Sequence, residues 1–322
     1  MADPVRSPHR GTPSRRPQAR ALVDRFLTAG PGGRAAALAS ALRGRGITLL
    51  WHRVHPAGAS PDQVVRATAT TTFAEQLEVL ADLGDIVPLR DLETPHRGTR
   101  PRFALTFDDD DPGHVRHTLP VLLARDVPAT FFLSGRWRDR WGPYWWELVE
   151  AAVRRDGPVA VALRFGLSED LDPPGVAQAI TGSPTASRLA TETLGTDLPV
   201  MARADARDLV TAGMEVGFHT LHHPSLPSLP AEELATAVAA GREELAADLG
   251  TRVERFAYPH GHADGRAVAA VRATGYRSAW TTAKRVVVAA EDRMLLGRWD
   301  LSRHGPDSFR RALLRGLLRP GP

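Results

Sequence analysis

Two short polar segments of this chain carry residue types that could hold a metal ion and activate water. One is Thr106-Phe107-Asp108-Asp109, and the other begins at His219 and ends at His223. Each follows an apolar run, which predicts a strand that delivers its polar residues into a loop. One carboxylate and two imidazoles form a three-ligand site for a divalent metal with one position open. With a second carboxylate as base, the residues predict hydrolysis by water activated at a metal.

The spacing within each segment assigns different tasks to neighbouring residues. Adjacent residues at a strand end point to opposite sides, so Asp108 and Asp109 can act separately. Asp110 and Asp111 extend the run, which is also typical of a solvated acidic loop. His219 and His223 are four residues apart, and the proline after His223 favours a turn over a regular helix. His222, between them, is interpreted as solvent-facing or as a supporting residue.

Composition limits the kind of site and the kind of protein. The chain has 322 residues and no cysteine, which excludes disulfides and thiolate ligands, so any metal must be held by His, Asp or Glu. No apolar stretch is long enough to span a bilayer, and no signal-peptide core is evident. The expectation is a cytoplasmic protein.

The arginine-rich N-terminus is expected to be a disordered arm. Residues 1–20 mix Arg with Pro and Ser and bury little apolar surface. Weak peripheral contact with an anionic membrane is the alternative. No aromatic residues interleave the arginines, so no nucleic-acid partner is expected. Residues 1–45 are therefore assigned to a basic arm with short helices, and residues 46–322 to a catalytic domain with an insertion at about 156–200.

Strand and helix patterns alternate through the second region. Helices are expected at 73–83, 119–125, 145–155, 204–212, 231–249, 265–274 and 308–318. Strands are expected at 47–51, 86–89, 103–107, 129–133, 215–219, 255–258 and 278–281. This alternation predicts an α/β fold with a parallel sheet or barrel. The polar segments follow strands, which is where barrel enzymes carry their active sites.

The motifs of this chain resemble those of a known family, the polysaccharide deacetylases of carbohydrate esterase family 4, also known as the NodB-like homology domain. The resemblance spans about residues 47–318. It rests on the segments 51–54, 106–109, 119–120, 128–132, 213–220, 223–224, 256–261, 275–276 and 296–298. It implies a distorted (β/α) barrel of about seven strands. It also implies metal-dependent removal of an acetyl group, N-acetyl in the first place, from a sugar, glycan or glycoconjugate.

The same resemblance implies roles for individual residues. Asp109, His219 and His223 would bind the metal, and Asp108 would be the general base. Zinc is the favoured ion, with cobalt, nickel or iron as alternatives. A backbone N–H near His260 would stabilise the oxyanion. The residues expected to contact the substrate are Tyr258, Pro259, His260, Trp145 and Arg298.

The chain departs from the family pattern at several positions. Ala257 stands where the family usually has an arginine that orients the base, and Arg298 or Asp300 is the hypothetical replacement. Asp110 stands where a glycine usually follows the aspartate pair. The Leu-x-x-His pattern that supplies the general acid is not found. His304 is the nearest candidate acid, with His260 and His262 as rivals, and all three are equally readable as exposed loop residues.

For several residues, and for the function itself, the sequence allows more than one interpretation. The aromatic cluster Trp141, Tyr144, Trp145 and Trp146 suits either the core or a sugar-stacking surface, with Trp145 or Trp146 the better pocket candidate. His52 either faces the site or is a buried structural histidine. A sugar deacetylase is the leading function. The alternatives are an amide hydrolase acting on a non-sugar metabolite, and a non-catalytic carbohydrate-binding protein on the same scaffold.

Overall fold

The structure is a computed structural model that describes residues 35, 44–58, 63, 65–95, 98–137, 143–171, 175–176, 200–288 and 292–318. Most of the arm (1–34 and 36–43) and most of the insertion (172–174 and 177–199) lie outside these residues, as does Trp141. Within the described part, the strands are β1 (Gly46–Trp51), β2 (Arg53–His55), β3 (Ala67–Ala69), β4 (Asp85–Ile86), β5 (Arg102–Asp108), β6 (Thr130–Leu133), β7 (Glu215–Phe218), β8 (Arg255–Ala257), β9 (Ser278–Trp280) and β10 (Trp299–Asp300).

Helices follow most of the strands, as the alternating pattern predicts. They are α1 (Thr70–Leu83), α2 (Leu89–Leu92), α3 (Leu119–Leu123), α4 (Trp145–Asp156), α5 (Pro158–Arg164), α6 (Arg203–Thr211), α7 (Ala231–Ala239), α8 (Arg242–Leu249), α9 (Gly265–Ala273) and α10 (Pro306–Leu318). No helix among the described residues combines the length and the apolar character needed to cross a membrane.

The main sheet is parallel throughout and runs in the order β10-β1-β5-β6-β7-β8-β9, with β4 paired beside the first half of β5. The chain segment that leads into β10 links the two ends of this sheet. Leu296 forms a parallel bridge with Trp280 of β9, and Trp299 pairs with Leu49 of β1. The expected distorted (β/α) barrel is thereby confirmed, and the carboxyl ends of its strands meet at one rim.

Stacked aromatic rings hold the strands that carry the acidic segment. Phe107 of β5 stacks on Trp51 of β1 at 5.7 Å and on Phe131 of β6 at 4.8 Å. All three are completely buried. Burial of such a side chain stabilises the fold by roughly 1.5–3 kcal/mol, so this cluster fixes β1, β5 and β6 side by side below the rim.

One long helix expected at 231–249 is in fact two. The chain leaves α7 at Ala240 and starts α8 after Gly241, whose φ of 89° lies in the left-handed region. A Cβ on Gly241 would come within 2.6 Å of Cγ of Leu221. The break therefore lets the backbone approach the loop that carries the histidine segment, a tertiary contact that periodicity does not reveal.

Two smaller differences concern strands. The strand expected at 86–89 ends at Ile86, because Pro88 has no N–H for a sheet and instead precedes the short helix α2. The strand β10 was not expected at all. Its two residues are too few for a periodic signal, yet they place Asp300 at the rim beside β1.

Candidate metal and catalytic site

The two polar segments meet at the rim of the sheet. Asp108 is the last residue of β5, and His219 directly follows β7, whose partner on the far side is β8. The Nδ1 atom of His219 donates a hydrogen bond of 2.8 Å to the carbonyl oxygen of Ala257, the last residue of β8. This bond fixes the ring so that Nε2 is free to face Asp109.

Asp109, His219 and His223 fit a divalent metal ion. The Nε2 atoms of His219 and His223 each lie 3.7 Å from Oδ1 of Asp109, and the three ligand atoms lie within 4.8 Å of one another. Zinc–ligand bonds of about 2.1 Å in a tetrahedron separate ligand atoms by about 3.4 Å, close to the two distances from Asp109 to the histidines. Oδ1 of Asp109 is buried and has no hydrogen-bond partner. A cation between the three residues would satisfy that oxygen.

The electrostatics of these residues favour a positive charge between them. Burial, together with the negative charge of Asp108, raises the pKa of Asp109 well above its usual value. Burial lowers the pKa of His219 to about 4, and burial together with the neighbouring His219 lowers the pKa of His223 well below its usual value. Both imidazoles are therefore neutral near pH 7, which is the form that binds metals.

Asp108 is held by a buried arginine. Nη1 and Nη2 of Arg298 donate hydrogen bonds of 2.6 and 2.7 Å to the two carboxylate oxygens of Asp108. Burial alone would raise the pKa of Asp108, but the charge of Arg298 outweighs it and the pKa is lowered. Arg298 is completely buried and also donates to the carbonyl of Thr281. Arg298 was expected to contact the substrate, but its guanidinium group is instead bonded to the carboxylate of Asp108.

The backbone around the site adopts conformations that L-residues rarely take. Asp109, Thr220, His223 and His260 all have φ between 52° and 73°. Each such backbone conformation costs on the order of 1–3 kcal/mol, and it persists only where contacts with the surrounding structure hold it in place. Part of that support comes from the hydroxyl of Thr220, which accepts a hydrogen bond from the N–H of His223 at 3.1 Å.

His114 is a supporting residue that sequence reasoning missed. Its Nε2 lies 3.2 and 3.1 Å from the carbonyl oxygens of Asp108 and Asp109, and because both partners are acceptors it must donate. The ring is buried between Phe107 and Phe131. In the sequence, only its position shortly after the four aspartates points to this role. The sequence does not show that the chain folds back so that the ring of His114 reaches the carbonyl groups of Asp108 and Asp109.

A cavity of about 350 Å³ opens over Asp108, Asp109, His219 and His223. Of the residues expected to contact substrate, Trp145 and His260 line it, together with Trp146. Its remaining walls come from Leu50, His52, Val65, Gly261, Thr282 and Asp300.

Other sequence candidates lie outside this cavity. Tyr258 is completely buried and donates its hydroxyl to the carbonyl of Met294, and Pro259 is buried next to it. His304 lies just before α10, where its carbonyl accepts a hydrogen bond of 2.7 Å from Gln76. His262 packs its ring 5.8 Å from that of His260 without lining the cavity.

His52 faces the cavity, which was one of the two interpretations that the sequence allowed for this residue. Leu50 of β1 is paired with Thr106 of β5 on one side and with Asp300 of β10 on the other. Alternation along a strand puts His52 on the same side as Leu50, and Asp108 on the same side as Thr106. His52 therefore stands between Asp108 and Asp300 at the rim. Burial lowers the pKa of His52, and the charges of the two carboxylates oppose that lowering.

The two remaining aspartates of the run are buried and hold the walls of the cavity. The carboxylate of Asp110 accepts hydrogen bonds from the N–H groups of Ser134 at 2.7 Å and Arg136 at 3.0 Å. The carboxylate of Asp111 accepts from the N–H of Gly113 at 2.6 Å and pairs with Arg53 at 3.1 Å. The solvated acidic loop, which was the alternative reading, is excluded.

An aromatic stack supports the ring of His223. The rings of Tyr144 and Trp146 are parallel at 4.3 Å, and the ring of His223 stands edge-on to Trp146 at 4.9 Å. His260 covers the other side of His223 at 4.4 Å. Arg136 lies over the Tyr144 ring at 4.2 Å, so the loop held by Asp110 also positions this stack.

Comparison with known proteins agrees with this architecture. A family model described as polysaccharide deacetylase matches residues 96–279. A search of curated proteins finds no match.

Several solved structures share the fold. The Streptococcus pyogenes deacetylase PplD, solved in complex with acetate, is 17% identical with a TM-score of 0.56, over 86% of this chain and 99% of that one. IcaB from Ammonifex degensii is 22% identical with a TM-score of 0.54, over 86% and 99%. BC0361, a polysaccharide deacetylase from Bacillus cereus, is 15% identical with a TM-score of 0.54, over 82% and 67%. At these identities the similarity shows the fold alone.

Proposed function

Because the chain belongs to the polysaccharide deacetylase family, we propose that it is a metal-dependent hydrolase that removes an acetyl group, N-acetyl in the first place, from a sugar or glycan. The observation that carries the proposal is the convergence of Asp109, His219 and His223 around one point beside the ionised Asp108. Zinc is the ion these ligands suit best, although the same donors accept cobalt, nickel or iron.

Asp108 is proposed as the general base. Arg298 keeps it ionised and orients it, while each carboxylate oxygen retains a lone pair that can accept a proton from water. Its Oδ2 lies 3.7 Å from Nε2 of the ligand His219, so water held near the ligands would be within its reach. A divalent ion bound there would supply Lewis acidity toward the acetyl carbonyl and would make water more acidic.

His52 is proposed as the proton donor to the leaving amine. It lines the catalytic cavity, follows β1 at the level of Asp108, and has Asp300 on its other side. Asp300 is itself held, because its Oδ1 accepts from the N–H and hydroxyl of Ser302. His260 also lines the cavity but packs on a metal ligand. His304 remains the third candidate.

The segment after β8 is proposed to stabilise the developing oxyanion. The N–H groups of Gly261 and His262 donate to the carbonyls of Tyr258 and Pro259 within the turn. This leaves the N–H of His260 as the donor offered to substrate. The rings of Trp145 and Trp146 provide the apolar surface on which a sugar could stack.

The test combines metal content with acetate release. Elemental mass spectrometry of the purified protein should find about one divalent ion per chain, which His219→Ala should lose. N-acetylated sugars should then release acetate with the metal-loaded protein and not with Asp108→Asn. Metal without turnover on any acetylated sugar would favour the carbohydrate-binding reading, and turnover only on non-sugar amides would favour the other alternative.

The assignment of the acid has its own test. His52→Gln should lower kcat about a hundredfold or more and remove the alkaline limb of the pH profile of kcat, because that limb reports the proton donor. His304→Gln and His260→Gln are the matched controls. If His304→Gln removes the limb and His52→Gln does not, the acid is His304.

A further inference from the structure

A second cavity, of about 300 Å³, lies behind one wall of the catalytic cavity. Three chain segments form this wall, and each contributes neighbouring residues to both cavities. The catalytic side carries His52, Asp109 and Trp146, and the second side carries Arg53, Asp111 and Glu147. Residues one or two apart in a chain have Cα atoms at most about 7 Å apart. One substrate molecule could therefore place different groups in the two cavities.

The acidic groups of the second cavity are already engaged. Arg53 pairs with Asp111 at 3.1 Å, with Glu147 at 3.3 Å and with Glu150 at 2.7 Å. Each carboxylate also accepts a backbone N–H, from Gly113, Tyr144 and Val65 respectively. All three are largely buried, so they offer little to a cationic ligand.

The groups that reach solvent at the mouth of this cavity are basic. Arg116 and Arg154 are exposed, and Arg116 forms no ion pair with any described residue. The side chain of His55 is 33% exposed, with its Nε2 3.3 Å from Oδ1 of Asp111, and the ring of His117 stands edge-on to it at 5.6 Å. An approaching anion would thus meet guanidinium and imidazole groups, which bind phosphate and carboxylate oxygens well.

We propose that the second cavity binds an anionic group, a phosphate or a carboxylate, that the glycan substrate carries near its acetylated sugar. This rests on the proposed function. The cavity would then select charged glycans over neutral ones, with Arg116 as the main contact and Arg154, His55 and His117 around it. Arg53 and its carboxylates form the rigid floor.

The first test measures binding without catalysis. Inorganic phosphate is titrated into metal-free protein while the ring-proton resonances of His55 and His117 are followed by NMR. Saturable shifts are expected in the wild type and in Arg303→Ala, which removes an exposed arginine elsewhere, and are expected to be lost in Arg116→Glu. Absence of shifts at these two histidines in the wild type, or equal shifts in Arg116→Glu, would overturn the proposal. Thermal melting of each variant checks that it is folded.

The second test uses substrates. Acetate release is compared for a neutral N-acetylglucosamine oligosaccharide, a hyaluronan oligosaccharide carrying carboxylates, and a phosphorylated N-acetylglucosamine oligosaccharide. Arg116→Glu should raise KM for one of the charged substrates about tenfold or more and leave KM for the neutral one unchanged. The charged substrate that responds identifies the anion. Equal effects on all three would reject the subsite, whereas phosphate binding without any acetate release would reject the deacetylase and retain the subsite.

Discussion

Asp108 and Asp109 differ from Asp110 and Asp111 in what their oxygens contact, although all four are consecutive and buried. The first two face the catalytic cavity, where Oδ1 of Asp109 has no hydrogen-bond partner. The oxygens of the last two are occupied by backbone N–H groups and by Arg53. Both oxygens of Asp108 are held by the buried Arg298, so Oδ1 of Asp109 is the carboxylate oxygen of this run that a ligand could satisfy, whereas Asp110 and Asp111 hold neighbouring segments in place.

The comparison shows that burial of a carboxylate does not by itself mark a catalytic residue. Asp110 and Asp111 are as deeply buried as the first pair, but their hydrogen bonds tie the loop after β6 and the strand β2 to the end of β5. An orphaned buried oxygen costs free energy unless a ligand satisfies it. The unsatisfied group, rather than the buried one, is the functional signal.

The largest effect is expected from Asp109→Ala. It removes one of three ligands, so metal content should fall to background and acetate release should become undetectable. Elemental mass spectrometry and an acetate assay check this, with Asp110→Ala as the neighbouring control that keeps its metal. Full metal occupancy in Asp109→Ala would mean that Asp109 does not bind the metal and has a structural role like those of Asp110 and Asp111.

Asp108→Asn should affect the reaction and spare the metal. Loss of the base should lower kcat about a hundred- to ten-thousandfold, because proton transfer by a positioned group contributes that much. Metal content should stay at one ion per chain. If Asp108→Asn lost as much metal as Asp109→Ala, the two aspartates would not have the separate roles proposed for them.

Asp110→Ala should act mainly on stability. Two buried N–H groups, those of Ser134 and Arg136, lose their acceptor, which should cost about 1–3 kcal/mol for each group left unsatisfied. Thermal melting should show a clear decrease in Tm, while kcat changes less than for Asp108→Asn. A kcat loss as large as that of Asp108→Asn, with Tm unchanged, would contradict a structural role.

The smallest effect is expected from Asp111→Asn. The amide oxygen still accepts from the N–H of Gly113, while the amide NH2 cannot pair with Nε of Arg53, which keeps Glu147 and Glu150 as partners. The free energy of unfolding should fall by about 1 kcal/mol. Chemical denaturation of the metal-free protein measures this directly, and a loss greater than that of Asp110→Ala would reverse the expected order.

Much of the fold was predictable because its signals are local. Apolar runs bounded by polar residues predict the strands at 47–51, 103–107 and 129–133, and the structure has strands there. Short or bent elements were not predictable. The two-residue β10 has no periodicity, and the break at Gly241 depends on how close Leu221 lies.

The candidate site was predictable to the extent that the chemistry resides in residue types. Asp108, Asp109, His219 and His223 are distinctive as a set, and the structure brings them together. Arg298 and Asp300 were equal candidates for the contact to Asp108, and the observed hydrogen bonds choose Arg298. For His52, only the pairing of β1 with β5 and β10 places the residue at the cavity beside Asp108.

The sequence by itself determined the donor atoms, because a metal site without cysteine must use carboxylates and imidazoles, and it determined the alternation that makes a parallel barrel. The tertiary structure alone decided which of four adjacent aspartates keeps an unpartnered oxygen, which arginine holds Asp108, and which basic groups surround a second cavity. These outcomes depend on contacts between residues far apart in the chain, and such contacts exist only after the strands have met at one rim.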